Sequence, residues 1–263
     1  MKNTIKNIIN YKNQIYLGTV LLEKNRWVKG IRQPTLAVSD WTQQIADAGF
    51  DGLELWQNHA LLATSDERNK LKNSVVPVQI FNSYARCETE DEKERIDSVE
   101  MSNFFDASGM KYNFGKVAER HSEYTKNVQL WRELLPSQYR FLCECHGGST
   151  MENPQQAAET LNQFNGTGYE VIIHGIGGDD EKIKNIFAIQ KERITHIHAD
   201  LSSDGLIDEA KLQNRIDLMH DLGFNGSYTI EFTEGVKSEN QRVEILFANA
   251  ARDLKLLRKC LSR

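Results

Sequence analysis

Short apolar runs alternate with longer amphipathic segments along nearly the whole chain. The longer segments mostly place apolar residues at helical spacing. Regular alternation of strands and helices is typical of a parallel sheet. Eight apolar runs have the length and composition of buried strands, and they cover residues 14–22, 50–56, 75–84, 110–115, 140–146, 169–177, 193–200 and 226–232.

Several predicted helices carry recognisable end signals. Ser39 is predicted to cap a helix that ends at Gly49, and Asn153 followed by Pro154 is predicted to begin one that ends at Gly166. Gly223 is predicted to end another. The predicted helices cover residues 39–49, 89–109, 116–135, 153–166, 179–192, 209–224 and 240–261.

The number of strand–helix units predicts the fold. Eight units in 263 residues match the size of a (β/α)8 barrel, and we predict that residues 1–263 form one such α/β barrel domain. A doubly wound sheet is the alternative, but it usually has fewer strands. The first strand leads into LGTVLLEKN, which contains neither GxGxxG nor GxxxxGK[ST], so a phosphate-binding loop is not indicated there.

Composition restricts the expected partners and location. The formal net charge of -5 argues against a nucleic-acid or anionic-membrane partner, because both attract basic surfaces. No apolar run approaches the roughly 20 residues of a membrane span, and the N-terminal MKNTIKNIINYKNQ lacks the apolar core of a signal peptide. We therefore expect a cytoplasmic protein with reduced cysteines.

Polar residues stand at the ends of most predicted strands, where a barrel enzyme carries its catalytic groups. They are Glu54, Asn82, Tyr84, Glu144, His146, His174, His196, His198, Asp200 and Glu231. Glu144, His174, His198 and Glu231 come from four consecutive strands and are expected to point toward one place. Two carboxylates and two imidazoles suit Mn²⁺, Zn²⁺, Fe²⁺ or Co²⁺. We predict that these four residues bind one divalent metal ion.

Four strings resemble motifs of the xylose isomerase-like barrel superfamily, and in particular of its sugar phosphate isomerase/epimerase group. The strings are IADAGFDGLELW, FLCECHGG, ITHIHAD and LGFNGSYTIEF, and the last is the most diagnostic. The resemblance extends from about Ile45 to Phe232. It implies that Glu144, His198 and Glu231 are metal ligands, that the two glutamates also exchange a proton with the substrate, and that His146 lies near the substrate.

The chain departs from the motifs of this group at the sixth strand. His174 stands where an aspartate ligand is usual, and Gly177 stands where a histidine is expected. His174 can bind a metal through a neutral nitrogen, but the site then carries one negative charge fewer, which favours Zn²⁺, Fe²⁺ or Co²⁺ over Mg²⁺. Asp179 or Asp180 is the other possible source of a carboxylate.

The expected function is that of a sugar isomerase or epimerase, which transfers a proton next to a carbonyl through a metal-stabilised enediolate. The alternative is a lyase on the same scaffold, such as a keto-glycoside eliminase or a dehydroshikimate or inosose dehydratase, with His146 as acid or base. A further alternative is a non-catalytic barrel subunit, which only the departure at His174 favours. The three-metal endonuclease branch of the superfamily is not expected, because the sequence shows no second ligand set.

The substrate is expected to be a small carbohydrate, cyclic polyol or keto acid. Trp56 and Phe81 would give it an apolar wall, and Tyr84 and Arg86 would bind its hydroxyls or a carboxylate. One of His196 and His198 is expected to support the other without binding metal. SSDG at 202–205 is interpreted as an ordinary turn, and the long C-terminal helix would permit a homodimer. The expected catalytic residues are Glu144, Glu231 and His146, and the expected substrate-binding residues are Glu54, Trp56, Tyr84, Arg86 and His196.

Overall fold

The computed structural model describes residues 11–23, 29–30, 32–164, 168–238 and 241–263. Eight parallel strands pair in chain order, and β8 pairs with β1 to close a barrel. This confirms the predicted (β/α)8 fold. The strands are Ile15–Gly18 (β1), Gly52–Trp56 (β2), Val78–Asn82 (β3), Gly109–Tyr112 (β4), Arg140–Glu144 (β5), Tyr169–His174 (β6), Ile194–Ala199 (β7) and Ser227–Ile230 (β8).

Helices surround the barrel, and short 3₁₀ segments connect several of them to the strands. No helix within the described ranges combines the length and apolarity that crossing a membrane requires. The α-helices that lie wholly within the described ranges are Thr42–Ala48 (α1), Gln57–Leu61 (α2), Ser65–Lys72 (α3), Glu92–Phe104 (α4), His121–Glu133 (α5), Pro154–Asn162 (α6), Asp180–Gln190 (α7), Glu209–Asp221 (α8) and Val243–Leu261 (α9). The 3₁₀ segments are Thr19–Leu22, Val38–Trp41, Thr89–Asp91, Ala118–Arg120 and Lys191–Arg193.

Some predicted helix ends are confirmed and one is wrong. Asn153 caps α6 by accepting hydrogen bonds from two backbone N–H groups of the first turn. Gly49 ends α1 with φ at 97°, a conformation that glycine adopts without strain. Ser39 does not cap α1, because its backbone N–H and hydroxyl both bind the carboxylate of Glu67. The predicted helix end at Gly166 lies outside the described residues.

Two stretches differ from their predicted structure. The first strand ends at Gly18, and a 3₁₀ turn follows at Thr19–Leu22, where the Thr19 hydroxyl binds the backbone N–H of Trp56 and the ring of His59. The charged stretch after β2, for which no element is predicted, forms α2 and α3. Thr64 caps α3, so this helix follows from a local signal rather than from an apolar face.

The barrel interior is apolar in its middle and polar at its two ends. A small cluster of buried side chains, Tyr16, Ile80, Leu142 and Ile172, fills the middle. Side chains alternate along a strand, so the residue two positions further on faces the same interior. For Leu142 that residue is Glu144. The apolar cluster therefore forms the floor of a polar site at the carboxyl ends of the strands.

Candidate metal centre

Four side chains converge above the apolar floor. Glu144, His174, His198 and Glu231 each offer one ligand atom, and these atoms lie within 4.8 Å of one another. The side chains of the two glutamates and of His198 are almost fully buried, whereas that of His174 is 36% exposed. Glu144 and His174 end β5 and β6, His198 is the last residue but one of β7, and Glu231 follows β8, so closure of the barrel brings them together.

The contacts among these four residues leave one carboxylate oxygen without a good donor. The Nδ1 atom of His174 is 2.8 Å from Glu144 Oε1 and 3.6 Å from Glu231 Oε2. The Nδ1 atom of His198 is 3.1 Å from both of these oxygens. Glu231 Oε2 is buried, yet it accepts no well-aligned hydrogen bond from the described part of the chain. A buried carboxylate oxygen without a hydrogen-bond donor destabilises the folded protein. Because Glu231 Oε2 lies beside two imidazoles, a cation bound among these groups would compensate for the missing donor.

Glu54 orients His198 from beneath. Its Oε2 atom accepts hydrogen bonds from His198 Nε2 at 3.1 Å and from the Thr229 hydroxyl at 2.8 Å. Its Oε1 atom accepts one from Asn82 Nδ2 at 2.6 Å. Because Nε2 of His198 donates to Glu54, Nδ1 is the nitrogen that can hold a metal ion. Glu54 is wholly buried, so it supports His198 and does not lie on a substrate-binding wall as expected.

His196 lies deeper in the barrel than His198. Its two ring nitrogens are 2.7 and 2.9 Å from the hydroxyls of Ser227 and Thr229. Burial lowers the pKa of His196 to about 4, although Glu54 acts in the opposite direction. A neutral, wholly buried imidazole is part of the barrel interior, so the structure does not place His196 against a substrate as expected.

The cluster favours positive charge. Burial alone would raise the pKa of Glu144, but Lys111, His174 and His198 outweigh it and hold that pKa well below its usual range. Burial opposes protonation of His198, yet Glu54 and Glu231 raise its pKa well above the ordinary value. Since ligand imidazoles must be neutral, a divalent ion would bind here in competition with protons.

Lys111 belongs to the site although it is absent from the predicted set. This residue of β4 has a side chain only 1% exposed, and its Nζ atom is 2.7 Å from Glu144 Oε2. The ammonium also lies 4.7 Å from the centroid of the Tyr84 ring. The sequence does contain a signal, because a lysine between two apolar residues of a strand, Met110 and Tyr112, faces the opposite side from them. Buried lysines are rare unless they are paired.

A cavity of about 730 Å³ opens above the cluster. Its volume is within the range of small-molecule sites. Glu144, His174 and Glu231 line it together with Lys111, and its aromatic lining is formed by Tyr84, Phe114 and Phe232.

Trp56 and Phe81 do not form the predicted apolar wall. Both are buried in the protein, with 1% and 0% of their surface exposed. Phe81 alternates with the inward-facing Ile80 and Asn82, so it points away from the barrel interior. The Trp56 ring packs edge-on against His59, with centroids 5.1 Å apart.

Three other predicted residues line the cavity in different ways. Tyr84 is half-buried on its wall. Arg86 is exposed and forms an ion pair with Asp91 at 2.7 Å. His146 is exposed, and its Nδ1 atom donates to the carbonyl of Gly147 at 2.7 Å, which leaves Nε2 as the basic nitrogen.

Gly177 stands where the resembling motifs would place a histidine, and contacts in the fold explain why this position has no side chain. A Cβ atom at this position would lie 2.7 Å from the Cα atom of Asp204, so no larger residue fits without movement. Asp204 belongs to the turn at 202–205, and its carboxylate accepts a hydrogen bond from the backbone N–H of Ile176 at 2.7 Å. The alternative carboxylates lie elsewhere, because Asp179 caps α7 and Asp180 pairs with Arg215 at 3.0 Å.

No family model matches this chain, and no curated protein is significantly similar to it in sequence. Solved structures match over nearly their whole lengths. A probable 3-DHS dehydratase, AsbF, from Bacillus anthracis has 14% identity and a TM-score of 0.64, covering 93% of this chain and 98% of its own. The 3-keto-D-glucoside 4-epimerase YcjR from E. coli has 13% identity and a TM-score of 0.63, covering 95% and 100%.

A third similar structure is a xylose isomerase-like TIM barrel protein from Mycobacterium smegmatis, solved in complex with magnesium. It has 10% identity and a TM-score of 0.60, and the match covers 95% of this chain and 98% of that one. Identities this low concern the fold alone. The resemblance of this chain to xylose isomerase-like barrels is therefore confirmed for the fold.

Proposed function

We propose that this protein is a divalent-metal-dependent isomerase or epimerase of a sugar or sugar derivative. It would act by moving a proton on a carbon next to a carbonyl. The proposal rests on the convergence of Glu144, His174, His198 and Glu231 at the base of a cavity of small-molecule size. Likeness in fold to an epimerase and a dehydratase adds support.

The donor set fits a divalent ion. Two carboxylates and two imidazole nitrogens are available on the side chains that converge, and the poorly bonded oxygen of Glu231 lies among them. This mixture of oxygen and nitrogen donors suits Zn²⁺, Fe²⁺, Co²⁺ or Mn²⁺. Such an ion, when bound, supplies Lewis-acid polarisation of a substrate carbonyl.

Glu231 is the proposed proton acceptor. Its Oε2 atom faces the two imidazoles, whereas its Oε1 atom forms no hydrogen bond with any residue that the structure describes. The side chain lines the cavity, so a carboxylate is available to remove a proton from a bound substrate and to return it. Tyr84, Phe114 and Phe232 offer an apolar surface to the C–H face of a sugar ring.

Glu231→Gln is expected to lower carbon-bound hydrogen exchange by at least ~100-fold, the lower end of what general-base catalysis contributes. The measurement is deuterium incorporation from D₂O into ketoses and 3-keto-glycosides, followed by NMR. Co²⁺ is supplied at concentrations that saturate each variant, because an amide oxygen is a weaker ligand than a carboxylate.

Asp200→Asn is the matched control for Glu231→Gln, because Asp200 also lines the cavity but lies outside the ligand cluster. This variant should exchange deuterium at close to the wild-type rate. Equal exchange in wild type and Glu231→Gln would contradict the role proposed for Glu231.

Elimination is the second candidate, and the position of His146 favours it. The imidazole lines the cavity with its ring centroid 5.5 Å from that of His174, and its Nε2 atom can carry a proton to a leaving group. The same substrates distinguish the two reactions. Growth of an ultraviolet enone band indicates elimination, whereas deuterium exchange without that band indicates isomerisation or epimerisation.

A further inference from the structure

The two glutamates of the cluster are bonded differently. Glu144 directs Oε1 toward the imidazoles, while its Oε2 atom is 2.7 Å from Lys111 Nζ and 2.8 Å from Asn113 Nδ2. Glu231 directs Oε2 toward the imidazoles, and no side chain in the described ranges holds its other oxygen. Of the two carboxylates, only Glu231 thus keeps an oxygen available to a substrate.

The partner of Glu144 is held firmly in place. Lys111 is one of the largest fully buried side chains of the protein, and it lies beside β5 because β4 pairs with β5 at Lys111 and Leu142. The ring of Tyr84 covers the ammonium on another side. A buried ammonium that leaves its carboxylate loses an interaction that water does not replace. The Lys111–Glu144 pair is therefore a fixed part of the site.

We infer that Lys111 is a positioning residue that dedicates Glu144 to metal binding through Oε1 and leaves Glu231 as the single carboxylate able to exchange a proton with substrate. The inference rests on the proposed function and narrows it. Proton transfer on one face of the substrate, as in aldose–ketose isomerisation or elimination, fits this site. Epimerisation by two opposed carboxylates, which the motif resemblance implies for Glu144 and Glu231, does not.

The position of Lys111 has a measurable consequence for metal binding. Its positive charge is one carboxylate group away from the ligand oxygen of Glu144, so it repels a divalent ion at the site. Removing the lysine charge also leaves the buried carboxylate of Glu144 without its cationic partner, which is unfavourable. A bound metal ion would neutralise this carboxylate in place of the lysine. Both effects act in the same direction, so loss of Lys111 should tighten metal binding.

Lys111→Met is expected to bind Co²⁺ at least ~10-fold more tightly than wild type, because the repelling charge is gone. Its d–d absorption should be weaker, because both oxygens of Glu144 become available and the coordination number rises. The measurement is a titration of the metal-free protein with Co²⁺, followed by visible absorption. Lys111→Gln, which keeps a hydrogen-bond donor but no charge, should change in the same direction and serves if the methionine variant does not fold.

Two further variants are the controls. Lys111→Arg keeps the charge and should restore the wild-type affinity and spectrum. Lys116→Met removes an exposed lysine that lines the same cavity, and it should change neither quantity. If wild type binds Co²⁺ but the Lys111 variants bind it with unchanged or weaker affinity and an unchanged spectrum, the role of Lys111 is wrong while the proposed function stands. If wild type binds no Co²⁺, both are wrong.

Discussion

His198→Ala is expected to abolish divalent-metal binding at concentrations that saturate the wild type. Its imidazole is the group that contacts Glu54, Glu144 and Glu231 at once, with each N–O distance at 3.1 Å. Loss of a ligand should exceed the roughly 10–100-fold effect typical of residues that only support one. The variant also removes the imidazole that three buried carboxylates share, so its free energy of unfolding should fall by roughly 3–5 kcal/mol.

His196→Ala is the matched control, because His196 lies two residues earlier on the same strand and is equally buried. It bonds to the hydroxyls of Ser227 and Thr229 and offers no atom to the four-residue cluster. We expect a stability loss of about 1–3 kcal/mol with metal binding retained. Co²⁺ titration and urea unfolding measure the two effects, and equal metal affinity in both variants would contradict the assignment of His198.

Glu144→Gln is expected to have the second large effect, because it removes a ligand charge and the partner of a buried lysine together. Glutamine keeps the shape of the side chain but cannot neutralise the Lys111 ammonium, whose Nζ atom is 2.7 Å from the carboxylate. Breaking a buried ion pair typically costs roughly 3–5 kcal/mol. Urea unfolding in EDTA measures this loss without any contribution from metal binding.

Glu170→Gln provides a control at the opposite end of the same barrel. Glu170 pairs with Arg140 at 2.8 Å, but its side chain is 18% exposed. Glu170→Gln should therefore lower the free energy of unfolding less than Glu144→Gln does. Metal affinity should remain that of the wild type. A Glu144→Gln protein as stable as Glu170→Gln, or with unchanged metal affinity, would mean that the Lys111–Glu144 pair does not have the role assigned to it.

The fold follows from sequence periodicity because each strand and most helices bury a regular apolar face. Where a specific hydrogen bond or helix cap determines the local structure, the apolar periodicity predicts the wrong element or none. The run 14–22 is apolar throughout, yet contacts of Thr19 with Trp56 and His59 turn the chain after Gly18. Helix α3 has only one buried residue, Leu71, so its pattern resembles that of a charged loop.

The convergence of Glu144, His174, His198 and Glu231 was predictable because they lie at or near the ends of consecutive strands, and closure of a barrel places such residues side by side. Lys111 was harder to predict, since it lies in a four-residue strand and its inward direction depends on pairing with β5. The positions of Trp56 and Phe81 depend on packing against helices, which strand-end position does not determine. The absence of a side chain at Gly177 depends on the close approach of Asp204, which is distant in sequence.

The most direct test of a metal-dependent site is the metal content of protein purified without added metal or chelator. Elemental mass spectrometry should find about one divalent ion per wild-type chain and far less in His174→Ala, because binding requires all the converging ligands. His174 is the informative position, since the motif resemblance implies an aspartate there. Wild-type protein that stays free of metal after Mn²⁺, Zn²⁺ and Co²⁺ are offered would contradict the proposed chemistry and favour a non-catalytic barrel.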